Sequence, residues 1–298
     1  LLKRIVAEKA QLVKDKKIKA QKPFPPIADE EKPFELPKEW EWCRLGDLAI
    51  SYEAGTSFKC ADRGVSNNEW GVIKTSAVTS SIFLESENKF YCEKKPTGRL
   101  AVISKGDLIF CRASGSKGLA GKCCIVSDIS NNLLLSDKTP RLVLSKFVLD
   151  KLVFFHNETT HTGIYYASLN TGKSTSMNNV TKDQLLNKPV PLPPLEEQKA
   201  IVSKVENLLA LCDQLEQQIT QNQTHAEQLM QAVLKEAFSQ NKAEAKKINT
   251  VIPFKPKGSD YYKRTLLAAE IVYQLHNEPT LGHLKLQKLI YLCQKSSN

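Results

Sequence analysis

The strongest pattern in the chain lies in its last third, where Ile201, Val205, Leu208, Cys212, Leu215, Ile219, Asn222, Ala226, Leu229 and Val233 follow one another at alternating steps of four and three. That spacing keeps an apolar stripe on one side of a helix and is the seam of a coiled coil. Pro193 and Pro194 stop the strand-like run before it, Glu196 and Glu197 place negative charge in its first turn, and no Gly or Pro interrupts the seam. One helix is expected from Leu195 to about Phe238, roughly 60 Å long at 1.5 Å per residue. So narrow a stripe requires a second helix. Leu1, Leu2, Ile5, Val6, Leu12 and Val13 make a shorter amphipathic segment that is expected to pair antiparallel with it, leaving Leu208, Cys212, Leu215 and Ile219 for another chain.

Between these helices the pattern changes to short β-rich runs bounded by Gly, Ser, Asn or Asp. Strands are expected at Gly71 to Lys74, Leu100 to Ile103, Asp107 to Cys111, Cys123 to Val126 and Pro140 to Leu144, with Lys146 to His156 helical. The lysine-rich, proline-marked stretch from Lys14 to Pro26 reads as a solvated linker rather than a nucleic-acid patch. Two further helical runs, Tyr261 to His276 and Leu284 to Gln294, read as a hairpin appendage. The expected fold class is therefore α+β, a mixed, strand-rich domain with a long antiparallel coiled-coil helix and a small helical C-terminal appendage. The expected boundaries are 1–22 helix, 23–39 linker, 40–194 domain, 195–240 long helix and 241–298 linker and extension.

Composition supports a packed protein: of 298 residues 41% are hydrophobic and 25% charged, enough apolar surface for a core and too much for wholesale disorder. No apolar run is long enough to span a bilayer, and Leu1 to Ala10 lack the apolar block of a signal peptide, so no membrane association and a cytoplasmic location are expected. The chain begins with Leu, which suggests a processed or excised piece of a longer product. Its formal charge of +10 is unevenly spread: +3 on residues 1–39, +5 on 40–194, −4 on 195–240 and +6 on 241–298. The long helix is thus acidic and the domain beside it basic.

Candidate catalytic groups are weak. Eight cysteines include no C-x-x-C pair and read as reduced thiols, and His156 and His161 have no cysteine pair nearby, so no metal site is expected. Gly115 to Gly121 is glycine-rich without Walker A or G-x-G-x-x-G spacing. Glu197-Gln198-Lys199 and Glu93-Lys94-Lys95 match the E-x-K half of a nuclease site only by chance. Asn187-Lys188-Pro189-Val190 is not the N-P-P-aromatic motif of an amino-methyltransferase, and no catalytic residues are assigned. Binding chemistry is better represented. Lys74, Thr75 and Ser76 follow one strand, Arg112, Ser114 and Lys117 another, and Lys173, Ser174 and Asn178 form a third polar cluster. These residue types bond phosphates and base edges, which points to double-stranded DNA.

The run Pro189-Val190-Pro191-Leu192-Pro193-Pro194-Leu195-Glu196-Glu197-Gln198-Lys199-Ala200-Ile201-Val202, continuing to Glu216, closely resembles the specificity subunits of type I restriction-modification systems. Leu36 to Asp47 resembles that family's entry into a target recognition domain, Lys105-Gly106-Asp107-Leu108-Ile109-Phe110 its interior strand, and Leu1 to Ile27 the end of its central helix and following linker. Such subunits usually carry two recognition domains in tandem, each followed by a conserved helix, and this chain looks like the second half. The resemblance implies a non-catalytic subunit that directs methyltransferase (modification) and restriction or motor subunits to a bipartite DNA target. S-adenosylmethionine, ATP and Mg are then expected on the partner subunits only, and the half-length form could dimerise. Ile201, Val205, Leu208, Cys212, Leu215 and Ile219 become the subunit interface. The alternative is a coiled-coil assembly scaffold that does not itself read DNA. Lys263 to Gln294 departs from the family pattern and faintly resembles a small helical domain of some toxin-antitoxin-associated proteins.

Overall fold

The structure is a computed structural model that describes residues 1–66, 69–92, 100–116, 118–169 and 178–244, with side chains described as far as residue 236. The chain divides into two compact units, 1–217 and 218–298. The appendage expected at Tyr261 to Gln294 lies outside the described residues.

In chain order the first unit opens with helix α1 (Leu2–Lys14), then strand β1 (Glu41–Arg44), the short helix α2 (Leu45–Leu48) and strands β2 (Ala49–Glu53), β3 (Cys60–Ala61), β4 (Trp70–Ile73) and β5 (Asn88–Tyr91). Next come β6 (Leu108–Phe110), β7 (Ala113–Ser114), β8 (Cys123–Ile125), β9 (Asn132–Leu134) and β10 (Arg141–Leu144). Helices α3 (Asp150–Asn157) and α4 (Thr160–Ser168), strand β11 (Asn178–Asn179), helix α5 (Lys182–Leu186) and strand β12 (Pro189–Leu192) lead into α6 (Leu195–Glu244), 50 residues long.

The strands form a four-stranded antiparallel sheet β2-β10-β6-β8, a second four-stranded sheet β3-β5-β4-β9 closed by the parallel pair β4 and β9, and two short ladders, β1 with β12 and β7 with β11. Their continuous apolar runs are explained by burial on both faces. Successive strand side chains point to opposite sides, and Leu108, Phe110 and Cys123 enter one core while Ile109, Cys111 and Cys124 enter another. The same alternation sends Leu133 and Leu135 into that second core and Leu134, with Val72, into a third. The two sheets therefore separate three apolar layers. Of the expected strands, Leu100 to Ile103 is reduced to a single bridge, Val102 to Leu134. The first half of Lys146 to His156 is a turn before α3.

The first core is roofed by helices, and α1 belongs to it. Ile5 is fully buried there with Leu45 and Leu48 of α2, and burying such a side chain contributes roughly 1.5 to 3 kcal/mol. The Lys9 ammonium donates to the carbonyls of Gly46 at 2.9 Å and Asp47 at 3.3 Å, Arg4 lies 4.3 Å over the Phe147 ring, and Ser145 Oγ donates to Glu8. The expected pairing of α1 along α6 is accordingly not made. Ile5, the most apolar-facing position of α1, is used against α2, and α6 is left uncovered beyond its first turns.

Residues 23–39, expected as linker, form a strap whose buckle is Arg44. Its side chain is 5% exposed and all five N–H donors are used. Two go to the Glu31 carboxylate at 2.7 Å each, and the others to the carbonyls of Pro25 at 3.1 Å, Pro26 at 2.9 Å and Asn187 at 2.7 Å. Phe24 packs so closely on Gly46 that a Cβ there would fall 2.1 Å from its ring, which is why that position has no side chain.

Candidate nucleic-acid interface

Strand β6 ends in a change of direction that places Arg112 between β6 and β7. Its backbone N–H donates to the Lys138 carbonyl at 2.8 Å, and its carbonyl accepts from Val180 N at 2.7 Å. The guanidinium is half-buried, with Nε donating to the Val180 carbonyl at 3.0 Å and Nη1 to Tyr52 Oη at 3.3 Å. Burial raises the Tyr52 pKa above the ordinary phenol value and the Arg112 charge opposes that, so the phenol stays protonated and neutral at pH 7. Ser114 of β7 stands in register opposite Asn178 of β11, and its Oγ accepts from Ser116 N at 3.1 Å. Three residues expected at the DNA surface, Arg112, Ser114 and Asn178, are thus brought onto one ladder, but Ser114 is buried there with its hydroxyl engaged by Ser116 N. Asn178 also lines a cavity of about 270 Å³ with Gly121, Asn157 and Tyr166. Gly121 has φ +94°, and a Cβ there would lie 2.3 Å from the Tyr166 ring.

Lys74, Thr75 and Ser76 sit elsewhere, after β4 on the second sheet, where Thr75–Ala77 forms a 3-10 turn. One carboxylate answers two of them: Ser76 Oγ donates to Glu87 Oε2 at 2.6 Å, and Lys74 Nζ lies 3.8 Å from the same oxygen. The positive charge expected there is therefore partly neutralised within the domain. Lys117, Lys173 and Ser174 lie outside the described residues.

Tyr52 and Lys182 were not among the expected site residues. Lys182 Nζ lies 4.9 Å from the centre of the Tyr52 ring, and Tyr52 in turn meets Arg112, so β2, α5 and the β7 ladder share one polar surface. Nothing local in the sequence marks them. Lys182 is the first residue of a helix whose start is legible, since Thr181 and Gln184 form a reciprocal cap with bonds of 2.9 and 3.2 Å, but its neighbour is 130 residues away.

The Lys105 to Phe110 motif has a structural reason. Gly106 adopts φ +89°, and Asp107 accepts from Ser104 N at 2.8 Å and pairs with Arg141 at 2.6 Å, tying β6 to β10. Among the described residues no group of three or more His, Cys, Asp or Glu is arranged to hold a metal ion, and no described helix is long and apolar enough to cross a membrane.

Helix α6 joins the domain through its first turns. Gln198 is fully buried: its Oε1 accepts from Leu149 N at 3.0 Å and its Nε2 donates to the carbonyls of Phe147 and Pro193 at 3.1 Å each. Trp40 Nε1 donates to Glu197 at 2.6 Å, Val202 is buried, and Lys151 pairs with Glu206. The E-x-K match at Glu197 and Lys199 is thereby explained as a helix start. Farther on, Ile201 and Val205 are half-buried, Cys212 is exposed, and Leu208, Leu215 and Ile219 are 48, 49 and 56% exposed.

The class is thus an α+β domain of two four-stranded sheets and two short ladders on which a long helix docks through its first turns. The chain belongs to the type I restriction modification DNA specificity domain family, whose model matches residues 37–223. It is 38% identical over 240 residues to the type I restriction enzyme EcoEI specificity subunit of Escherichia coli, covering 78% of this chain and 40% of that subunit. To the EcoAI specificity subunit of the same organism it is 35% identical over 240 residues, covering 72% of this chain and 36% of that one. The crystal structure of the HsdS subunit from Thermoanaerobacter tengcongensis is similar with a TM-score of 0.50 and 25% identity, over 69% of this chain and 51% of that one. The chain therefore spans about 40% of the length of these curated relatives.

Proposed function

We propose that this chain reads one half of a split double-stranded DNA target and brings modification and restriction or motor subunits to it, without catalysis of its own. The observation that carries the reading is the family match over 37–223, which takes in the whole strand-rich domain and the start of α6. Charge supports it, since the domain is basic and the helix acidic. So do Arg112 and Asn178 on the β7–β11 ladder, whose side-chain types suit phosphates and base edges. On this reading Lys74, Lys117, Lys173 and Ser174 add further contacts, S-adenosylmethionine, ATP and Mg belong to the partner subunits, and the protein works in the cytoplasm. The seam from Ile201 to Ile219 receives a partner helix, which a second copy of the chain could supply as a two-fold dimer.

Methylation mapping tests the proposal in cells that carry the modification subunits with and without this chain. Methylation at a split motif only in its presence is expected. An unchanged map despite co-purification of the subunits would leave the coiled-coil scaffold, which the exposed seam of α6 favours. Purified chain incubated with labelled S-adenosylmethionine, or with Mg and plasmid, is expected to be inert. Activity that follows the protein through purification and is lost on mutating it would overturn the non-catalytic role.

A further inference from the structure

The lysine run after α1, read from sequence as a solvated linker, lies along a groove. Lys16, Lys17, Lys19 and Lys22 form one side of an open cavity of about 910 Å³, and Tyr52 and Lys182 belong to the other. The backbone of the run is fastened at both ends. Lys17 N donates to the Leu12 carbonyl at 2.9 Å, Lys9 Nζ reaches Gln21 Oε1 at 2.8 Å, and Phe24 is seated on Gly46. The lysines are therefore held over the groove although their side chains are exposed.

Their charges are unanswered. Among the described residues none of the five lysines forms an ion pair, whereas Lys74, Lys89, Lys105 and Lys122 each have a carboxylate partner. Of the carboxylates in the groove, Glu53 is committed to Arg141, and Asp183 stands in the first turn of α5. Tyr52 on the far wall accepts from Arg112 Nη1 at 3.3 Å, which links the groove to the residues proposed for recognition. Flexible ammonium groups are point charges without the fixed fork that reads a base edge, and a row of them suits a polyanion followed along its length.

We propose that this groove is a clamp for the phosphate backbone of duplex DNA, formed by Lys16, Lys17, Lys19 and Lys22 of the run after α1 on one side and Lys182 on the domain side. The inference rests on the DNA-recognition reading and adds to it a sequence-independent contact outside the recognition ladder. It makes the lysine run part of the binding surface, so that a duplex held there lies against both the domain and the end of α1.

The full chain, assembled with its modification subunits, is titrated with duplexes that contain or lack the methylated motif, from 50 to 200 mM salt. The variants are the quadruple Lys16→Gln, Lys17→Gln, Lys19→Gln, Lys22→Gln, the single Lys182→Gln, and a quadruple Lys→Arg control. Each lost phosphate contact lowers the slope of log K against log salt by about 0.9. The Gln variants are expected to weaken both duplexes alike and to flatten the slope, by two or more units for the quadruple, while the preference for the motif and the Arg control remain as in the parent. An unchanged slope, or a loss confined to the motif-bearing duplex, overturns the clamp. Should the quadruple fail to fold, Lys19→Gln and Lys182→Gln alone decide by the same slope. If the parent assembly shows no preference for the motif, the recognition reading itself fails; a parent that shows it with variants that bind identically removes only the clamp.

Discussion

Arg44 shows how much one side chain can organise. Its five donated bonds join the strap to α2 and to the end of α5, and the Glu31 carboxyl is held below its ordinary pKa chiefly by its hydrogen bonds to Arg44. Arg44→Ala should lower stability by about 3 kcal/mol, the low end for breaking a buried pair because the Glu31 side chain is 36% exposed. Arg44→Lys should recover little of this, since an ammonium cannot reproduce the fork. Urea denaturation measures both. A second residue-scale device is Lys188, fully buried with Nζ 2.8 Å from Asn157 Oδ1 and 3.5 Å from His156 Nδ1. Burial lowers the Lys188 pKa to about 8 from 10.5. Burial, then the Lys188 charge, lowers His156 to about 3 from 6.5. In each case the unfolded chain binds the proton more tightly, so stability rises with pH between the two values. Melting temperature should therefore fall on acidification from pH 6.5 towards 3 and rise between pH 8 and 10.5. His156→Gln should flatten the first limb and Lys188→Met the second.

At the scale of elements, the turn at residues 145–149 is the joint. It meets α1 through Glu8 and Arg4 and meets α6 through Gln198, so two helices distant in sequence are fixed to one loop of the domain. Gln198→Ala would leave Leu149 N and the Phe147 carbonyl without their partner in a buried place, at about 1 to 3 kcal/mol each. Hydrogen exchange should show faster exchange at Leu149 and in the first turns of α6, with the sheets protected as before; uniform change across the domain would contradict a local joint. The heptad seam located α6, and Pro193, Pro194, Glu196 and Glu197 located its start, because both are local signals. The partner of α1 was not legible, because an amphipathic helix of this length advertises only that it needs an apolar surface, and α2, which supplies one, is a four-residue helix with no periodicity of its own.

For the whole molecule, the exposed seam sets the main expectation. Leu208, Leu215 and Ile219 each leave about half their surface in water, and burying a Leu contributes roughly 1.5 to 3 kcal/mol. Sedimentation at tens of micromolar should therefore show a dimer, or a complex when modification subunits are present. Leu208→Asp with Leu215→Asp should abolish that association without altering the unfolding of the domain. A monomer whose subunit binding ignores these substitutions would refute the interface. Sequence alone determined the features that depend on neighbours along the chain: the long helix and its start after Pro193 and Pro194, most central strands, the basic domain beside an acidic helix, and the family through contiguous motifs. Only the tertiary structure decided which polar residues come together. It joined Arg112, Ser114 and Asn178, set Glu87 against Lys74 and Ser76, and brought Lys182 to Tyr52 and to the groove lined by the lysine run. Those outcomes depend on contacts between residues up to 130 positions apart, which neither periodicity nor composition encodes.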